Sequence, residues 1–219
     1  MGITLLQGGE PLLADRAISE IVTKNKGATV TILEASELEL GGITDALAPS
    51  LFGDARIIVI KEIQDLAAEL GEEIATYLEA PEESVELVLW HKGGVKGKAL
   101  LEKIKKVKPT VVACDVIKKD GEKIELVKAE ALDRGRKISN DAARALVDAS
   151  GSEAREMISS LHQLLSDTTG TIEVKDVNAL FAGRVETTSF AVADAILESS
   201  LGQALVTLRQ ALDTGVDPV

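Results

Sequence analysis

Five short runs rich in β-branched and aliphatic residues, Ile3–Gln7, Thr29–Leu33, Arg56–Ile60, Val85–Trp90 and Thr110–Ala113, recur through the first half of the chain with helical patterns between them. The helical stretches run from Leu12 to Val22 and over residues 43–52, 64–80 and 96–107, where apolar residues fall three and four apart. Strands alternating with helices form a parallel sheet, because each parallel pair needs a crossover long enough to hold a helix. Several runs are apolar throughout, which requires cover on both sheet faces. From about residue 139 the strand pattern stops. Ser139, Ser152 and Thr188 stand at N-cap positions before helical patterns, and Val174, Val177 and Leu180 mark a shorter helix. The expected class is α/β followed by all-α: a five-stranded parallel-sheet domain over 1–138, then a small helical bundle over 139–198. A further helix opens near Leu201 and meets Gly215, so residues 199–219 read as the start of a truncated third domain.

Composition narrows the function. With 45% hydrophobic and 27% charged residues the chain can bury a core. No run approaches the roughly 20 apolar residues of a bilayer span, and no basic segment leads into an apolar stretch at the start. A soluble, cytoplasmic protein is expected. Cys114 is the only cysteine, and His91 and His162 are the only histidines, so neither a disulfide nor a transition-metal site is expected. No cofactor is expected. Five aromatic residues in 219 leave little for stacking nucleic-acid bases. The net charge of −12 is uneven: residues 1–91 carry −12, 92–137 carry +7, 138–198 carry −6 and the remainder −1. In the basic segment, Lys98, Lys103, Lys105, Lys106 and Lys108 surround an apolar stripe of Leu100, Leu101, Ile104 and Val107. That pattern reads as a solvated helix face; the alternative is a phosphate track, with Lys96, Lys98, Lys103 and Lys106 as candidate DNA contacts.

A parallel sheet followed by a helical bundle, or lid, is the layout of AAA+ ATPases, so nucleotide hydrolysis is the first chemistry to test. A phosphate-binding loop, G-x-x-x-x-G-K-[ST], should follow the first strand. Here Gly8-Gly9-Glu10-Pro11 supplies neither lysine nor hydroxyl and places a carboxylate where it would repel phosphate. Gly93-Gly94-Val95-Lys96-Gly97-Lys98-Ala99 is one residue short, ends in Ala99 and follows the fourth strand. A magnesium-binding strand should end in Asp, yet Ile57-Ile58-Val59-Ile60 runs into Lys61-Glu62. With no nucleophile or metalloprotease motif either, the chain reads as a non-catalytic AAA+-like module whose function lies in binding. His162 fits a helix surface and Cys114 a small core position.

Leu47-Ala48-Pro49-Ser50-Leu51-Phe52-Gly53-Asp54-Ala55-Arg56, leading into an apolar strand, resembles the "SLF" segment of bacterial DNA polymerase III delta subunits, the clamp-opening part of the clamp loader. The stretches 132–139, 142–147, 188–196 and 211–219 resemble the same family in order along the chain. The resemblance implies an AAA+-like fold without nucleotide binding and a function in replication: binding the sliding clamp (beta) and opening the ring. It implies partners in the motor (gamma/tau) and delta-prime subunits, at most weak or indirect DNA contact, and a collar domain that is cut short here, leaving this chain monomeric. Catalysis would belong to the DNA-directed DNA polymerase (nucleotidyltransferase) holoenzyme and not to this chain. Carried over by position, Leu51 and Phe52 are the apolar anchors for the clamp, flanked by Pro49 and Ser50. Pro49 stands where family members place a third apolar anchor, and it is expected to end or kink the preceding helix. The competing readings are an ATPase with an unorthodox loop and a basic-patch DNA-binding module.

Overall fold

A computed structural model describes residues 2–50, 53–150 and 153–181, together with 202, 205, 206, 208 and 209. The chain divides into two compact units, Met1–Ile117 and Lys118–Val219.

The first unit runs β1 (Ile3–Gln7), α1 (Pro11–Lys24), β2 (Thr29–Glu34), α2 (Gly42–Leu47), β3 (Arg56–Lys61), α3 (Ala68–Glu79), β4 (Val85–His91), α4 (Lys98–Lys106) and β5 (Thr110–Ala113). All five strands are parallel, in the order β2-β3-β4-β1-β5. Alternation along the strands sends side chains to opposite faces. On one face Leu5, Ile58, Ile60, Leu87 and Leu89 pack with Ile43 and Leu47 of α2, Leu70 and Ile74 of α3, and Leu101 and Ile104 of α4. On the other, Leu6, Ile57, Val59, Val88 and Trp90 pack with Ala14, Ala17 and Ile18 of α1. The continuously apolar runs are thus the ones covered twice. Edge strands β2 and β5 keep half-exposed apolar positions, among them Ile32 and Val111.

The helix expected over 43–52 stops at Leu47. Pro49 disfavours helical backbone in the residue before it, and Ala48 is extended at ψ 144°. The pattern at 64–80 resolves into a 3-10 turn, Ile63–Asp65, followed by α3.

The second unit holds α5 (Asp120–Asp133), α6 (Asn140–Ala149), α7 (Ala154–Asp167) and α8 (Val174–Phe181). The sequence pattern assigns residues up to 138 to the sheet domain and marks no helix over 120–133. In the structure α5 belongs with the bundle and packs against α6 and α7. Its buried stripe of Ile124, Val127 and Ala131 is interrupted by Lys123 and Glu130, which are also buried, so apolar periodicity fails to reveal it. α5 ends at Gly135 (φ 71°), whose N–H donates to Leu132 O at 2.8 Å while Arg136 N–H donates to Ala131 O at 2.9 Å, a Schellman stop. Ser139 caps α6 as expected, its Oγ accepting from Ala142 N–H at 3.3 Å. The expected caps Ser152 and Thr188, the helix after Thr188, and most of 199–219 lie outside the described residues. Among the described residues no helix is long and apolar enough to cross a membrane.

Candidate functional site

The segment singled out by sequence, Pro49–Phe52, follows α2. α2 has only six residues, too few for a helix to persist on its own propensity. Gly41, its N-cap residue, sits at φ 86° and offers no side-chain cap. The cap comes instead from α3: Glu73 accepts from Gly41 N–H at 2.8 Å, from Thr44 N–H at 2.9 Å and from Thr44 Oγ1 at 2.8 Å. Partial burial raises the Glu73 pKa, but these hydrogen bonds outweigh it and hold the carboxyl below the ordinary glutamate value. At the other end, Arg56 at the start of β3 donates from Nη1 to Ala46 O at 3.1 Å and from Nη2 to Ala48 O at 2.6 Å. Beyond Ala48, Pro49 is exposed and Ser50 half-buried. Leu51 and Phe52 lie outside the described residues. Gly53 sits at φ 66°, and its N–H donates to Ser50 O at 3.3 Å. Beside Pro49 a groove of about 440 Å³ is lined by Leu47, Ala48, Glu69, Glu73 and Tyr77.

The turn after β1, where a phosphate loop would lie, is packed against the ends of β4 and β5. Gly8 N–H donates to His91 O at 3.0 Å, Glu10 N–H donates to Cys114 O at 2.8 Å, and Trp90 Nε1 donates to Gly8 O at 2.9 Å. Gly8 sits at φ 138°, and a Cβ there would fall 2.2 Å from the Cys114 backbone. Glu10 is 6% exposed, and its carboxylate accepts from Leu12 N–H at 3.3 Å, so a side-chain anion caps the α1 N-terminus. Lys61, in the expected magnesium-carboxylate position, has its Nζ 3.4 Å from Asp15 and 3.6 Å from Glu34.

The Gly/Lys loop between β4 and α4 is bonded inward. His91 is fully buried; its Nδ1 accepts from Gly93 N–H at 2.9 Å and its Nε2 lies 3.0 Å from Lys96 O. Gln64 Oε1 accepts from Lys92 N–H at 3.0 Å. Lys96 Nζ pairs with Asp65 at 2.6 Å, and that bond, followed by one from Gln64, draws the exposed Asp65 carboxyl below its ordinary value. Lys103 pairs with Glu72 at 2.6 Å. Of the four candidate DNA contacts, Lys96 and Lys103 are therefore engaged in ion pairs, whereas Lys98 and Lys106 are exposed on α4. Leu100, Leu101 and Ile104 are buried as expected, but Val107, just past the helix end, is 40% exposed. Cys114 is buried, and burial pushes its thiol pKa up. His162 does more than line a helix surface: its Nε2 lies 2.6 Å from Glu130 Oε1 on α5. Among the described residues no group of three His, Cys, Asp or Glu side chains is placed to hold a metal ion.

No protein-family model and no curated protein matches the sequence. Solved structures do match its backbone. A DNA clamp loader delta protein from Bacillus subtilis superposes with a TM-score of 0.68 at 16% identity, over 100% of this chain and 69% of that one. The chain shares its fold with a clamp loader delta protein. The RuvB Holliday junction branch migration motor of Thermotoga maritima matches with a TM-score of 0.59 at 16% identity, over 90% of this chain and 69% of that one. A point variant of that motor gives 0.59 at 15% identity over the same shares. The chain thus shares the fold of these structures, a five-stranded parallel α/β unit followed by helices. The residues that dress α2, Glu73 and Arg56, carry no mark in the sequence because their contacts join segments that share no pattern.

Proposed function

We propose that this chain is a delta-type subunit of the bacterial clamp loader, which docks on the sliding clamp through the tip after α2 and opens the ring during replication. The observation that carries the reading is the exposed Pro49 at the end of a short helix held at both its ends, two residues before Leu51 in the sequence. Backbone likeness to a clamp loader delta protein over the whole chain supports it. An apolar pair exposed when free and buried on binding contributes about 1.5–3 kcal/mol per side chain, the usual arrangement of a binding hot spot. In this reading the motor (gamma/tau) and delta-prime subunits are its neighbours in the cytoplasm, and the chain itself catalyses nothing. The Glu10 carboxylate at the α1 N-terminus argues against nucleotide there, and equilibrium dialysis with ATP and magnesium is expected to give no saturable binding. The deciding experiment replaces Leu51 and Phe52 together by Ala. The fold should persist by circular dichroism while clamp binding in a pull-down is lost; retained binding would remove the tip from the interface.

A second reading rests on Lys98 and Lys106, which remain exposed on α4 while Lys96 and Lys103 are paired. It makes α4 a weak DNA contact, with an affinity that falls with salt in proportion to the few phosphates met.

A further inference from the structure

The geometry around α2 points to a role for two residues that bear no apolar anchor themselves. We propose that Glu73 and Arg56 are positioning residues for the tip: they fix the orientation of α2 and so the direction in which the chain leaves it through Ala48, Pro49 and Ser50 toward the clamp. This inference rests on the clamp-binding reading above for its function, though not for its geometry.

Ile43 and Leu47, one helical turn apart, are the buried residues of α2. Two anchors on one line hold a short helix down but leave it free to roll about that line. Directed bonds at its ends remove this freedom, and both ends are bonded from rigid elements outside α2. Glu73 projects from α3 onto the N–H groups of Gly41 and Thr44. Arg56 projects from β3 onto the carbonyl oxygens of Ala46 and Ala48. The signs suit the helix dipole, with a carboxylate at the amino end and a guanidinium at the carboxyl end. These groups would otherwise be left to solvent, as at any helix terminus. Ala48 is the hinge: Arg56 Nη2 grips its carbonyl at 2.6 Å, immediately before the exposed Pro49. Proline fixes its own φ and restricts the residue before it, so where Ala48 is held sets the direction in which Pro49 leaves α2.

Losing either clamp leaves the apolar anchors intact but lowers the fraction of molecules with the tip correctly presented. Apparent affinity falls by that fraction, and it falls through association, because a correctly docked complex dissociates as before.

The test uses the full chain with Glu73→Ala, Glu73→Gln and Arg56→Ala variants, and kinetics on an immobilised beta sliding clamp from the same organism. The expected result for Glu73→Ala and Arg56→Ala is an association rate reduced about tenfold with dissociation unchanged, whereas Leu51→Ala accelerates dissociation. A matched control, Ile18→Ala on the opposite sheet face, should lower thermal stability without slowing association. Hydrogen exchange on the free chain provides a reading independent of the clamp: amides of residues 44–48 should exchange about tenfold faster in both Ala variants, while β1, β3 and β4 stay protected. The near-isosteric Glu73→Gln retains one acceptor and should fall between wild type and Ala in both measurements. Unchanged exchange at 44–48 would overturn the positioning role whatever binds the tip. Faster exchange with normal association would overturn its link to docking. If exchange rises as expected but the Leu51→Ala, Phe52→Ala pair still binds the clamp normally, the positioning stands and the clamp reading fails.

Discussion

Trp90 donates its indole N–H to the carbonyl of Gly8 at 2.9 Å, joining the end of β4 to the loop after β1 in the buried interior. Replacing Trp90 by Phe keeps most of the apolar volume but leaves that carbonyl without its partner. The expected cost is about 1–3 kcal/mol, the range for an unsatisfied buried polar group. Because Trp90 is the only tryptophan, urea unfolding should be followed by circular dichroism and not by fluorescence.

The same loop makes Gly8→Ala a severe change. The backbone there is at φ 138°, and the new Cβ would meet main-chain atoms of Cys114, which cannot swing aside as a side chain could. A loss of about 3 kcal/mol or more is expected. Gly27→Ala is the contrast: φ is 91° but nothing lies within 4 Å, so only backbone strain remains, about 1–2 kcal/mol. Thermal melts of the two variants side by side check the difference.

Arg136 holds the carboxyl end of α7. Its guanidinium donates to Leu165 O at 3.0 Å, Thr168 O at 3.1 Å, Gly170 O at 2.8 Å and Thr168 Oγ1 at 3.1 Å. Arg136→Ala should cost about 2–3 kcal/mol, and Lys should not restore it, because a single ammonium cannot reproduce a planar fork aimed at separate acceptors. The signature is faster hydrogen exchange over residues 154–181 with the sheet unchanged.

The Glu73 bonds predict an acid-sensitive α2. A carboxyl whose folded pKa is depressed adds stability that is present above its unfolded pKa and lost as pH falls through the folded one. The direction found for Glu73 places the release of Gly41 and Thr44 below the ordinary glutamate range, with the contacts intact at neutral pH. Amide resonances of those two residues should shift together on acidification. In Glu73→Gln the step should be absent.

What could be read from sequence follows burial geometry. β1, β3 and β4 are interior strands with apolar residues on both faces, so their runs stand out whatever surrounds them. β2 and β5 are edges, recognisable by their β-branched residues although half their side chains meet solvent. α5 was invisible because Lys123 and Glu130 occupy inward positions, Glu130 bonded to Arg134 and His162. In the candidate site, proline chemistry foretold the end of α2 near Pro49. The partners Glu73, Asp65 and Glu72 could not be foreseen, because a glutamate or aspartate on a solvated helix or turn carries no mark of the amide or lysine it meets some thirty residues away.

The strand order imposes a sequence of events on synthesis. Of the five strands β1 is made first, yet its hydrogen-bonding neighbours are β4 and β5, whose residues lie beyond position 84. β2 and β3, adjacent in both sequence and space, can pair as soon as their connecting helix has emerged. The first-made of the five strands is therefore the one that completes its pairing last, between two strands made after it.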